Sequence, residues 1–447
     1  MKLRFSATAI SRLQAIIIAV VIVVAAVAAG TYYYLTTKPS APEYIKIGWP
    51  VPLTGGEALF GEPDPWVAQQ IEDYVNNVMG GIYLSEYDKK LPIKIIIRDT
   101  KSDPDFAATV AEDLITREGI HLMITTCAST AIPASTTAER YEIPCIVSNA
   151  PALAWLTGAP YEWSYLAFWT EVDVAELYVA TWDLVRNKTN GIVAGLWTDD
   201  PAGRSFRELT VALAKERGYT VIDSGLVPKG TKDFSAYIIE WKKVGAEIFT
   251  GNIIPPDFGA LWRQCHELGF TPKVATVGRA ILFPSAVESI GGDLPLGLTT
   301  EVWWSPHHPY KSSITGQTAE ELCEAWEEET GRPWTQPMGI AHMVLEIAVD
   351  AIKRAGSLDK EKIRDTIANT DLDTIVGHID YKSPIPDELY KNYPKIIEYQ
   401  DHISLTPLVM GQWVREPSEQ TWKLEIIYNW KYDEILETAE MILIPSL

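Results

Sequence analysis

Strand-like and helix-like stretches alternate from residue 45 to about residue 277, and this alternation limits the possible folds more than any other feature of the chain. Residues 91–98, LPIKIIIR, carry a continuous isoleucine run of the kind found in a strand buried on both faces. A helical pattern over 104–117 follows, then a strand over 120–125, a helix over 132–140 and a strand over 145–148. The pattern restarts with a helix over 171–186. Strands over 192–197, 221–227, 247–250 and 273–277 then enclose helices over 204–217, 234–244 and 258–268. Such spacing predicts βαβ units and parallel sheets. A length of 447 residues is too much for one core, so the expected class is α/β with two doubly wound lobes. Asp105-Phe106-Ala107 leads a helix into Gly119-Ile120, and Asp233-Phe234-Ser235 leads another into Gly245-Ala246, an echo consistent with duplication.

The first strand and its loop read IKIGWPVPLTGGEALFG over residues 45–61. Ile45, Ile47, Trp49 and Val51 alternate with Lys46, Gly48 and Pro50; Pro52, Gly55 and Gly56 then force a loop, and Pro63 and Pro65 suit a helix start. This order sets backbone N–H groups at the carboxyl edge of a sheet, where small ligands bind in open α/β folds. Gly55-Gly56 followed by Gly61 is neither GxGxxG nor a Walker loop, which argues against a nucleotide. A plain strand-to-helix turn is the alternative.

Lys2, Arg4 and Arg12 precede a stretch from Ala15 to Leu35 without a charge, about 30 Å long as a helix. Residues 1–37 are therefore expected to be a signal-like or transmembrane anchor, with 38–43 as linker and the remainder outside the cell. The Ser11-Arg12-Leu13-Gln14-Ala15 stretch resembles the pilin-like signals of archaeal binding proteins, cut before the apolar segment; a secretory signal cut near Ala29 is the alternative. The 38 basic and 59 acidic residues give a net charge of −21, which argues against nucleic acid or an anionic lipid surface as partner. The four cysteines show no CxxC spacing, and the seven histidines form no HxxxH or HExxH pair. No GxSxG elbow is present either. No enzyme, cofactor or metal site is expected.

The opening segment, Asn76-Asn77 with Gly80-Gly81-Ile82, residues 99–104 (DTKSDP), residues 127–135 (CASTAIPAS), Lys232-Asp233-Phe234-Ser235 and Ala355-Gly356-Ser357 together resemble the leucine/isoleucine/valine-type solute-binding proteins of ABC transporters. The resemblance runs from about Ile45 to Tyr381. It implies a type I periplasmic binding protein fold, two lobes joined by three crossovers, with a ligand captured between them and delivered to an ABC permease. The implied boundaries are 44–169 plus 302–375 for lobe one, 170–301 plus 376–412 for lobe two, and 413–447 as a C-terminal extension. The implied hinges include Trp169, Thr170, Thr300, Glu301 and Val376. A monomeric ectodomain binding an amino acid or small carboxylate is expected, with a ligand-sensing extracellular domain as the alternative. A ligand touching both lobes would favour the closed state.

The resemblance also implies ligand contacts at Phe60, Cys127, Ala128, Ser129, Asn149, Ala150, Ala152, Ala202, Asn252 and Arg279. Ala128 stands where the family has a serine for the ligand carboxylate, with Ser129 as its replacement, and Ala152 where it has a threonine. Ala202 replaces an aromatic wall residue. The family's acid for the ligand ammonium is expected beside Gly278-Arg279, where the sequence has none. Arg279 would offer a fork to a carboxylate and point to an amine-free aromatic or dicarboxylic acid. Alternatively Arg279 faces solvent while Asp199, Asp200 or Asp257 takes the amine, or the ligand is an amide. Trp155, Trp197 and Trp303 are candidates for an aromatic wall. The cysteine partner that some family members place at the Ser102 position is missing, so Cys127 is expected to be a free buried thiol.

Overall fold

The computed structural model describes residues 12–37, 40–385, 390–415 and 421–445. In the first lobe five strands, β1 (Ile45–Val51), β2 (Ile93–Asp99), β3 (Leu122–Thr125), β4 (Cys145–Val147) and β5 (Ser164–Ala167), pair in parallel in the order β5-β4-β3-β1-β2. In the second lobe β6 (Ile192–Thr198), β7 (Thr220–Val227), β8 (Ile248–Asn252), β9 (Val274–Gly278) and β10 (Leu298–Val302) form a parallel array in the order β10-β9-β8-β6-β7. The inner strands are buried, while the edge strands β2 and β7 keep exposed and half-buried positions. β1 is buried through both faces from Ile47 to Val51, so its sequence alternation does not mark an exposed side.

Polar caps set where the helices begin. Asp103 Oδ1 accepts from Phe106 N at 2.8 Å ahead of Pro104–Asp113, and Asp200 Oδ1 accepts from Gly203 N at 2.8 Å ahead of Pro201–Glu216. The first passage between lobes leaves β5 through Phe168 and Trp169 to Thr170, which caps the helix Glu171–Leu184 in a reciprocal capping box with Asp173. The second leaves β10 at Val302 and passes through Trp303 and Trp304.

The third passage departs from expectation. After the short ladder of Asp371–Asp373 with His378–Asp380, the chain stays with lobe one: β11 (Ile403–Ser404) adds a parallel edge beside β5, and Ser404 Oγ accepts from Asp380 N. The chain crosses only at residues 405–408. Val376 is a fully buried residue between the two short strands and not a crossing point. His378–Asp380 and Ile403–Ser404 therefore group with lobe one and not with lobe two.

The described residues of the expected C-terminal extension, 413–415 and 421–445, are likewise not an appendage. β12 (Val409–Val414) pairs antiparallel with β10, and β13 (Lys423–Tyr428) extends that sheet. Trp413 Nε1 donates to Ile281 O at 2.7 Å, and Gln412 Nε2 donates to Gly297 O and Ile442 O. The tail completes the second sheet.

Arg12–Thr37 is a helix, and its described side chains, residues 14–29, are exposed. Among the described residues no helix is long and apolar enough to cross a membrane. The side chain of Leu35, and Lys2 and Arg4, lie outside the described residues.

Candidate functional site: an aromatic-walled cleft between the lobes

The carboxyl ends of the two parallel arrays face each other across a cavity of about 40 Å³. Its wall comes from loops of both lobes: Phe60 after β1, Cys127 and Ala128 after β3, Asn149 and Pro151 after β4, and Phe168 and Trp169 after β5. Lobe two supplies Ala202, Phe206, Asn252, Arg279, Leu282 and Glu301, and Trp303 from the second passage closes the ring. Phe60 meets Phe283 edge-on at 4.9 Å and lies parallel to Trp303 at 6.5 Å; Phe168 meets Trp303 edge-on at 5.2 Å. These contacts fix the aromatic wall without a ligand.

Four polar atoms of this wall have no hydrogen-bond partner among the described residues: Asn149 Nδ2, Trp169 Nε1, Trp303 Nε1 and Asn252 Oδ1. All four residues are buried, none more than 5% exposed. A buried unsatisfied polar group costs about 1–3 kcal/mol, so four of them borne by residues of one cavity wall leave that wall with hydrogen-bonding capacity to spare.

An acid, Glu301, does stand beside Gly278-Arg279 in space, although none is adjacent in sequence. Strand pairing of β10 with β9 brings it next to Gly278, and its Oε1 lies 3.3 Å from Arg279 N. Tyr178 Oη donates to its other oxygen, as does Thr300 Oγ1 at 3.2 Å. Gly278 permits this approach, because a Cβ there would sit 2.6 Å from Tyr178 Oη and 3.2 Å from Glu301 Oε1. Burial pushes the Glu301 carboxyl up to about 7 against the hydrogen bonds that favour its charge.

Arg279 neither faces solvent nor offers a free fork. Its backbone is left-handed (φ 68°), and the guanidinium turns to Asp200 (Nη1 to Oδ2, 2.7 Å) and to Glu57 of lobe one (Nη2 to Oε1, 3.1 Å). Lys229 Nζ joins both acids at 3.2 and 3.4 Å. Burial opposes charge on Glu57 and Asp200, but Arg279 and Lys229 outweigh it and hold both carboxyls below their usual values. Of the other acids weighed for an amine, Asp199 pairs with Arg204 on the surface, and Asp257 accepts from Gly230 N.

A family model described as periplasmic binding protein matches residues 44–385. The chain belongs to the periplasmic binding protein family. A leucine-, isoleucine-, valine-, threonine- and alanine-binding protein of Pseudomonas aeruginosa is 23% identical to this binding protein over 352 residues, 76% of this chain and 86% of the relative. Two solved structures share the fold. A leucine-binding protein of Thermotoga maritima has a TM-score of 0.68 at 20% identity, covering 86% of this chain and 99% of its own. A Rhodopseudomonas palustris solute-binding protein in complex with 3,4-dihydroxybenzoic acid has 0.67 at 18%, covering 87% and 99%.

In this binding protein Phe60, Cys127, Ala128, Asn149, Ala202, Asn252 and Arg279 stand on the cavity wall. Ala150 and Ala152 are fully buried behind it and do not line it, and Ser129 turns its hydroxyl to Glu57. Cys127 is a free buried thiol that donates to Glu57 Oε2 at 2.9 Å, and Cys145, Cys265 and Cys323 are also free. Burial, followed by the Glu57 charge, pushes the Cys127 thiol up and keeps it protonated. Trp303 lines the cleft, whereas Trp155 stacks on Tyr161 at 4.1 Å and donates to Ser135 in the core. Trp197 is 1% exposed and lies off the cavity wall. Sequence reasoning missed Glu57, Phe168, Phe206 and the acid role of Glu301. Among the described residues no three His, Cys, Asp or Glu side chains are close enough together to hold a metal.

Proposed function

We propose that this chain is the extracytoplasmic solute-binding component of an ABC import system, capturing a short-chain aliphatic amino acid between its lobes and handing it to a permease. The observation that carries this reading is one aromatic-walled cavity whose residues bear three unpartnered donors, one unpartnered acceptor and an unpaired acid. The ligand carboxylate accepts from Asn149, Trp169 and Trp303. Its ammonium donates to Asn252 Oδ1 and Glu301, and its side chain packs against Phe60, Phe168, Phe206 and Leu282. The binding lobes work without chemistry on the solute, as a monomer, and with no cofactor.

The aromatic wall and the raised Glu301 pKa favour one second reading, an amine-free aromatic acid whose polar group meets protonated Glu301. Calorimetric titration near pH 7 in buffers of different ionisation enthalpy separates the two. An ammonium ligand expels the Glu301 proton, so valine binding should release protons at pH 6.5 and release none at pH 8.5. A benzoate-type ligand should leave the proton in place. Trp303→Phe, which deletes one donor, should weaken valine about 5- to 15-fold. Unaltered affinity in that variant would remove Trp303 from the carboxylate site.

The same reading places residues 15–35 in the membrane as an uncleaved or pilin-like anchor. Full-length protein should then partition into a detergent phase, and a chain beginning at Glu43 into the aqueous one. Aqueous partitioning of both would discard the anchor.

A further inference from the structure

The chain holds a carboxylate of its own against Arg279. Glu57, from the loop after β1, reaches across the cleft and is 2% exposed. One oxygen meets Arg279 and Lys229 of the opposite lobe, and the other accepts from Cys127 and Ser129 of its own lobe. Asp200 takes the remaining side of the guanidinium. Two carboxylates face one guanidinium and one ammonium, so the formal charges of the cluster cancel. Arg279 borders the inner cavity and also an outer recess of about 220 Å³ that Glu57, Asp200 and Lys229 line. Arg279 is thus common to the two walls, together with Ala128 and Ala202, and Glu57 occupies the nitrogen that a ligand's distal carboxylate would otherwise take.

We propose that Glu57 is a specificity-determining residue: a tethered carboxylate that saturates Arg279 and excludes acidic amino acids from a cleft that accepts aliphatic ones. The inference rests on the amino-acid reading above. An aspartate or glutamate side chain entering the cleft would add a third carboxylate to a cluster with two cations. Like charges desolvated together are strongly disfavoured. Removing Glu57 reverses the balance, because the cluster then carries a net positive charge and the vacated volume adjoins Arg279. A ligand carboxylate placed there restores neutrality through a charge-assisted hydrogen bond.

The test is calorimetric titration of wild type and Glu57→Ala with valine, aspartate and glutamate at pH 7.5, with thermal melts to establish folding. Wild type should bind valine and give no heat with the acidic pair. In Glu57→Ala the affinity for glutamate or aspartate relative to valine should rise about 10- to 100-fold. A merely structural role for Glu57 would lower all affinities together. Should Glu57→Ala fail to fold, Glu57→Ser opens similar space and keeps a hydroxyl for Cys127 and Ser129; the same gain is expected. A variant that binds valine without any gain for the acidic pair overturns the proposal alone. So does wild type that takes glutamate as readily as valine. Wild type that binds no amino acid overturns the amino-acid reading and this proposal with it.

Discussion

Glu301→Gln should weaken valine binding by about 30- to 5,000-fold while making the ligand-free protein more stable above pH 7. The loss follows from removing the charged partner of a desolvated ammonium, worth about 2–5 kcal/mol. The gain in stability follows from the burial that lifts the Glu301 carboxyl to about 7. A carboxyl raised above its unfolded value of 4.5 binds more protons folded than unfolded between those two values. Stability therefore falls as pH rises through that window and levels off above it. The penalty accumulated by pH 8 is on the order of 3 kcal/mol. Glutamine keeps the shape and an acceptor for Tyr178 without carrying that penalty. The difference in melting temperature between variant and wild type should thus grow in the variant's favour from pH 5 to pH 8. Wild-type affinity for valine should climb over the same range, and that climb should vanish in the variant. A variant that binds valine as wild type does, or melts in parallel with it at every pH, would remove Glu301 from the ammonium site. Binding sites often store instability of this kind.

The elements that the sequence announced are those whose burial is written locally. The apolar stretch of β1 is a strand covered on both faces, whereas the isoleucine run of β2, read the same way, is an edge strand with only Ile93 and Ile96 buried. The residues that reached the cavity wall from sequence, among them Phe60, Asn149 and Asn252, lie at the carboxyl end of a parallel strand or in the segment that follows it. What escaped depends on distant pairing. β11 is two residues long, too short to show any alternation, so the third passage was read near Val376 instead. The tail strands carry Gly411 and a break after Val414 that imitate an irregular segment, and only pairing with β10 reveals their place. Glu301 looked like a hinge residue because its acid role comes from lying beside Gly278 on the neighbouring strand. Glu57 is 222 positions from Arg279 in sequence, and nothing in either neighbourhood signals the other.

Arg279→Ala should destabilise the closed protein by about 3–5 kcal/mol, because it strands Glu57 and Asp200 without their principal cation in a buried site. For a chain of this size that corresponds to a fall in melting temperature of about 3–5 °C. Lys229 is 42% exposed and contacts both acids, so it softens the loss without replacing the fork. The pH dependence distinguishes lost charge pairing from lost packing. Both acids are held below their ordinary values of 4.5 and 3.8, so their contribution is complete above those values and disappears as pH falls through the depressed ones. The deficit of the variant should accordingly be full at pH 7 and shrink toward pH 3; a deficit constant across that range would mean packing alone. Arg279→Gly adds a further check. It loses the same charge but relieves the left-handed backbone at φ 68°, and should recover about 1 kcal/mol relative to alanine. Pairing Arg279→Met with Glu57→Gln removes charges of both signs, and the double variant should be more stable than Arg279→Met alone. If the two losses instead add, the lobes are not joined through this ion pair, and the closed cleft is held by its aromatic wall.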